Sequence, residues 1–148
     1  MNMQQSCKYS CNYVTFTIYQ CIFTFHLIRC MAIKDLRLVQ THLFLCNGST
    51  CKSKGAEEST KIIRETIKEC GLHDQVHTTK TMCNGRCDDG PVVIVQPEGL
   101  RFKEITPEAA RNFVLKGIVN DEPMHEKFLY QYHSTEINSD SIPRENVH

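Results

Sequence analysis

From Leu36 onward the chain alternates short apolar, β-branched runs with one amphipathic stretch. Residues 38–45 are apolar and of strand length, and the run delivers Cys46 at its carboxyl end. Residues 55–70 read as an amphipathic helix: Ala56, Ile62, Ile63, Ile67 and Cys70 fall near one face, and Glu57, Glu58, Lys61, Arg64, Glu65 and Lys68 fall mostly on the other. Glu57 and Glu58 suit a first turn, and Gly71 suits the position just past the end. Cys70 lies in the apolar stripe and is expected to be a small core residue. Residues 75–82 have strand chemistry and again end at a cysteine, Cys83. Strand, helix, strand in that order implies a right-handed crossover, with the two strands parallel and both carboxyl ends on one edge. Cys46 and Cys83 are therefore expected to open neighbouring loops.

Residues 92–96 and 100–105, joined by a turn at Pro97-Glu98-Gly99, read as a hairpin whose first strand is buried on both faces and whose second alternates. Thr106-Pro107-Glu108 has the form of a helix start, a capping hydroxyl followed by proline at the first helical position, and Gly117 is expected to end that helix. Residues 124–132 predict a short helix or a docked arm, and residues 134–148 are polar enough for a flexible tail. This pattern divides the chain into a folded domain over 36–120, a carboxyl-terminal arm and tail over 121–148, and an atypical extension over 1–30 that stands outside the fold. The extension contains an apolar run over 13–28, interrupted by Thr, Gln and His and without a small-residue cleavage site, so a membrane role is disfavoured. Met31-Ala32-Ile33-Lys34 reads like a second start, which fits an extension outside the domain.

Composition narrows the function classes. Basic and acidic residues balance at 17 each among 148, so no global field points to nucleic acid or a membrane surface. Cysteines number nine, an odd count without regular spacing, which argues against a purely disulfide-stapled secreted domain and for thiols used as ligands in a reducing, cytoplasmic setting.

The candidate chemistry lies in two loops. Cys46-Asn47-Gly48-Ser49-Thr50-Cys51 and Cys83-Asn84-Gly85-Arg86-Cys87 open with the same tripeptide, and each follows a strand-like run. Thiolate ligands and cluster sulfur carry negative charge and accept backbone N–H bonds, so Asn-Gly at both places fits a loop whose amides turn inward. On its own Asn-Gly also simply makes a tight turn. Four thiols suit an iron–sulfur cluster, and the spacing does not exclude structural zinc. Lys52, Lys54 and Arg86 stand beside these cysteines and would either stabilise added negative charge and dock an acidic partner or be solvated loop charge. His42 is expected to be a partly buried neutral side chain and His77 to lie on a strand edge. The Cys-x-His of a Rieske centre is missing, residues 48–53 lack the glycine a phosphate loop needs before its Lys-Ser pair, and a thioredoxin-type dithiol normally has two intervening residues rather than three. Cys7 and Cys11 share the spacing of the second pair without its turn glycine; with Cys21 and Cys30 they are expected to be dispensable.

Cys46-x4-Cys51, then Cys83-Asn84-Gly85-Arg86-Cys87 followed by Gly90-Pro91, a valine strand, Pro97-Glu98-Gly99 and a Thr-Pro-Glu helix, resembles the thioredoxin-like [2Fe-2S] ferredoxins. The resemblance spans about Leu38 to Gly117 and is nearer to the stand-alone type than to the related small iron–sulfur subunit of respiratory complex I and NAD-linked hydrogenases. It implies an α/β fold, a thioredoxin-like βαβ-ββα chain with a mixed sheet and helices packed on it. It also implies Cys46, Cys51, Cys83 and Cys87 as ligands to one [2Fe-2S] cluster, and single-electron transfer to or from a reductase or oxidoreductase subunit rather than catalysis. A family-like homodimer is compatible with it. The competing expectation is a zinc-binding or cluster-free interaction module on the same scaffold.

Overall fold

The computed structural model describes residues 34–122 and 124–139, all within one unit, Lys34–His148. A short 3-10 turn, Leu36–Leu38, leads into β1 (Thr41–Cys46). There follow α1 (Ser49–Ser53), α2 (Ala56–Glu69), β2 (Val76–Thr81), β3 (Val93–Gln96), β4 (Leu100–Phe102), α3 (Pro107–Asn112) with a π-helical continuation Phe113–Val119, and β5 (Phe128–Gln131). The strands form one mixed sheet in the order β2-β1-β3-β4-β5. The expected α/β class and strand–helix–strand–hairpin–helix order hold.

Register positions the site. β1 and β2 are parallel, with Thr41 opposite Val76 and Cys46 opposite Thr81, so the loops after both strands leave from the same edge. β3 runs antiparallel to β1, with Leu45 opposite Val93 and His42 opposite Gln96. Its amino-terminal end therefore lies beside the carboxyl end of β1, and the Cys46 N–H donates to the Val92 carbonyl at 3.0 Å. Strand alternation sends Leu43, Leu45, Val93 and Val95 to one face, where they are buried with Ile63, Ile67, Ile105, Ala110, Phe113 and Val114. α2 presents Ile63 and Ile67 to this core, and α3 and its continuation present Ala110, Phe113 and Val114.

Several local expectations change. β3 is buried at Val93 and Val95 but only half-buried at Ile94 and Gln96, because the core helices contribute to one sheet face. The helix begun at Pro107 does not stop at Gly117; it widens into a π-helix through Val119, and Gly117 lies where an added Cβ would sit 3.3 Å from the Met124 sulfur. Thr106 makes no side-chain bond to a helix amide; its hydroxyl instead meets the Glu108 carboxylate and, with the Glu108 N–H, lowers that pKa. Cys70 is half-buried rather than in the core, since it caps α2 just before the chain turns at Gly71 (φ +70°). Residues 128–131 are a strand paired with β4, not a helix. Residues 134–139 are held beside it: Asn138 donates from its backbone to Leu129 O at 2.8 Å and from Nδ2 to Phe128 O at 3.0 Å. The extension over 1–30 and the tail beyond Ser139 lie outside the described residues.

Candidate metal centre

Three strand ends meet at one rim. Cys46 closes β1; its backbone is paired with Val92, and its Sγ lies 3.4 Å from the Met82 carbonyl. The next amide, Asn47 N–H, donates to Thr81 O at 2.9 Å, which ties the first cysteine loop to the end of β2. The buried Asn47 side chain donates from Nδ2 to Leu45 O at 3.0 Å and to Thr60 Oγ1 at 3.1 Å, fixing the loop onto α2. Asn-Gly therefore does more here than turn the chain, although its amide is directed to a strand carbonyl and not to a sulfur. Gly48 then packs so closely on the second loop that a Cβ would lie 3.0 Å from both Cα and Cβ of Cys83.

The structure places Cys51 inside the short helix α1, where a loop was expected, and its sulfur is 3.4 Å from that of Cys46. Both are nearly sealed, 1% and 4% exposed. In the second loop Cys83 is exposed and Cys87 half-buried, with their sulfurs 3.5 Å apart. Gly85, at φ +78°, turns its N–H onto Cys83 Sγ at 3.4 Å, as an inward-facing amide should. Gly90 brings the second loop back over the first: a Cβ there would stand 2.7 Å from Cys51 Sγ. Lys54 closes the junction, donating from Nζ to Asp88 O at 2.8 Å and to Cys87 O at 3.3 Å.

Electrostatics separate the thiols. Burial first, and the neighbouring Cys46 second, push the Cys51 thiol up to about 11. The Gly85 N–H, assisted by Cys87, holds Cys83 below its ordinary range, whereas the hydrogen bond with Cys83 raises Cys87. The Thr50 hydroxyl acts in the opposite sense on Cys87. Like charge on Cys87 raises Cys51, and like charge on Cys46 raises Cys87, so the two pairs feel one another.

All four cysteines singled out from the sequence thus come to one rim, in two close pairs. Among the described residues, no three His, Cys, Asp or Glu side chains gather tightly enough for a single metal ion. Two thiol pairs at one rim, with the Gly85 N–H turned onto one of the sulfurs, fit a group held by four thiolates, as a [2Fe-2S] cluster is. A further feature fits such a group: Asn84 Oδ1 accepts from Thr81 Oγ1 at 3.1 Å, while Asn84 Nδ2 is buried without a partner among the described residues, a donor left over beside Cys83.

The flanking cations are engaged in structure. Arg86 is bound by the buried Asp89 through Nε at 2.7 Å and by Ser139 Oγ through Nη2 at 2.6 Å, and Ser139 in turn donates to Asp89 Oδ1 at 2.5 Å. Lys52 pairs with Glu57 at 3.1 Å. Sequence reasoning missed Thr50 and Ser139, and it read Asp89 as a loop charge opposing Arg86 where the structure binds the two together. Thr50 sits between the recognised motif positions, and the partner of Asp89 from the tail is 50 residues away. Cys7, Cys11, Cys21 and Cys30 lie outside the described residues. His42 is as expected: burial, then His77 and Lys34, lower its pKa, and its Nε2 meets Thr79 Oγ1 at 2.8 Å. No helix among the described residues is long and apolar enough to cross a membrane.

No protein-family model matches the chain. Among curated proteins it is 42% identical over 112 residues to a Priestia megaterium protein named "Putative 2Fe-2S ferredoxin", covering 73% of this chain and 87% of that one. It is 32% identical over 89 residues to a 2Fe-2S ferredoxin of Clostridium pasteurianum, covering 55% of this chain and 87% of that one. A solved thioredoxin-like [2Fe-2S] ferredoxin from Aquifex aeolicus superposes with a TM-score of 0.57 at 25% identity, covering 64% of this chain and 94% of that structure. Close relatives across nearly their whole length, a shared fold and two thiol pairs brought to one rim agree, and the chain belongs to the thioredoxin-like [2Fe-2S] ferredoxin family.

Proposed function

We propose that this chain holds one [2Fe-2S] cluster through Cys46, Cys51, Cys83 and Cys87 and passes single electrons to or from a redox partner protein. The observation that carries the reading is the convergence of two thiol pairs, 3.4 and 3.5 Å between sulfurs, at the rim where β1, β2 and β3 end. When bound, the cluster supplies a one-electron couple. The protein's part is to hold it and to offset its charge. Cys46 and Cys51 form the sealed side and Cys83 and Cys87 the open side, while Gly48 and Gly90 leave the loops room to close on each other. The Gly85 N–H and the Thr50 hydroxyl supply donors to sulfur, and the spare Asn84 N–H would be a further donor to a bound cluster; such bonds would ease the accumulation of negative charge on reduction.

The same proposal places the cluster-binding unit in residues 36–120, with the arm over 128–139 docked on it and 1–30 outside it, in a cytoplasmic setting. Its partner is a reductase or oxidoreductase subunit, and a homodimer fits the family. The alternative is a zinc-binding or cluster-free module on the same scaffold, since two cysteine pairs also suit four-thiolate zinc.

The test is direct. Protein purified without air should be red-brown, contain about two iron and two acid-labile sulfide per chain, and lose visible absorbance on dithionite. A colourless protein with stoichiometric zinc would overturn the reading. Serine at any one of the four ligand positions should weaken or abolish cluster retention. Serine at Cys7, Cys11, Cys21 or Cys30 should leave the colour unchanged; bleaching at Cys21 or Cys30 with colour kept in Cys51→Ser would refute the ligand set.

A further inference from the structure

The geometry points to a second chemistry at the outer pair: in the metal-free protein, Cys83 and Cys87 form a thiol–disulfide exchange site for low-molecular-weight disulfides of the glutathione class. Closing it as an internal disulfide blocks cluster loading. This second consequence rests on the cluster reading above; the exchange itself does not.

The two thiol pairs differ little in sulfur separation, 3.4 Å for Cys46–Cys51 and 3.5 Å for Cys83–Cys87. Proximity therefore does not choose between them, and access does. Cys46 and Cys51 are 4% and 1% exposed, and Gly90 crosses directly over the Cys51 sulfur. A disulfide reagent cannot line up on either. Cys83 is exposed, its preceding residue Met82 is 82% exposed, and nothing lies within 4 Å of the Cβ position at Gly85. Cys83 is therefore open to a small disulfide in a way that Cys46 and Cys51 are not. Closure needs the sulfurs to move from 3.5 Å to a bond of about 2.05 Å. Residues 82–92 contain no helix or strand, so the movement breaks no ladder.

The exchange balances without further reactants. The Cys83 thiolate attacks one sulfur of glutathione disulfide, forming a mixed disulfide and releasing one glutathione thiol. The Cys87 thiolate then attacks the Cys83 sulfur, forming the internal bond and releasing the second glutathione. Two protein thiols are oxidised, one small disulfide is reduced to two thiols, and the two protons end on the released glutathiones. Two of the proposed cluster ligands are consumed.

The experiment uses the full chain, stripped of metal with a chelator and incubated with glutathione disulfide. Trypsin separates Cys83 from Cys87 at Arg86 but leaves Cys46 and Cys51 on one peptide between Arg37 and Lys52. The expected result is a cross-link between the two outer-loop peptides, with the Cys46–Cys51 peptide still alkylatable as a dithiol. Cys87→Ser should instead hold a glutathione adduct on Cys83. A Cys46–Cys51 disulfide formed first, or an outer pair that stays fully alkylatable, overturns the exchange site. For the second consequence, iron and sulfide uptake should be lost in the oxidised protein and restored by dithiothreitol; undiminished uptake with the cross-link present refutes the block. If the reduced protein takes up no cluster, the cluster reading has failed, and the peptide map still decides the exchange.

Discussion

A methyl group added at Gly90 would meet the Cys51 sulfur at 2.7 Å and the Cys87 carbonyl at 3.2 Å, and the Cys51 side chain is sealed at 1% exposure. Gly90→Ala should therefore separate the two loops and sharply lower iron and sulfide content, while far-UV circular dichroism stays near that of the parent. Asn84 invites a finer test. If its buried Nδ2 donates to cluster sulfur, Asn84→Ala removes one hydrogen bond of about 1 kcal/mol favouring the reduced form. At about 59 mV per tenfold for one electron, the potential should fall by roughly 40 mV in a redox titration; an unchanged potential would place that donor elsewhere. His42 sets a pH dependence away from the rim. Its pKa in the folded chain lies below the ordinary value of 6.5, so near and below that pH the unfolded chain binds more protons. Stability from this group is fully present above about pH 6.5 and is lost as pH falls through the imidazole range. His42→Gln should flatten that limb of the melting temperature against pH profile, and an unaltered slope would assign the limb to other groups.

At the scale of elements, the chain's apolar periodicity read strands and helices well where the core decides them. β1 delivers Cys46 at its last residue because Leu43 and Leu45 must face α2 and α3, and that alternation sets the strand phase. Boundaries governed by tertiary contact were less legible. Gly117 looked like a helix stop because glycine commonly ends helices, yet its missing side chain accommodates Met124 and the helix runs on. A Cβ there would be 3.3 Å from the flexible Met124 thioether, which can shift. Gly117→Ala should then stabilise the helix by up to about 1 kcal/mol, read as a higher denaturation midpoint; a loss would mean that Met124 cannot move. Cys70 was similarly misread as core from its place in the apolar stripe, and Cys70→Ser should now cost little, because the residue is only half-buried at a helix cap.

Across the whole molecule, the outer cysteine loop is braced from behind by a residue that arrives from the carboxyl-terminal segment. Arg86 and Asp89 are 19% and 6% exposed, and Ser139 bridges them. Asp89→Ala would leave the Arg86 charge largely buried without its carboxylate, at a cost of about 3 kcal/mol. The expected outcome is a lower melting temperature together with faster cluster loss in the presence of a chelator. Ser139→Ala, which keeps the ion pair, should show a smaller effect in the same direction.

The sequence by itself determined the α/β class, the order of elements and the four cysteines of the candidate site, because strand alternation, helix periodicity and the repeated Cys-Asn-Gly turn are all local. Only the tertiary structure decided which cysteine pair is sealed and which is open. It also decided that Arg86 is bound inward to Asp89 instead of facing a partner, and that Ser139 reaches the outer loop. Burial and long-range hydrogen bonds depend on which surfaces the folded chain brings together across many residues, and no short stretch of sequence contains both members of such a contact.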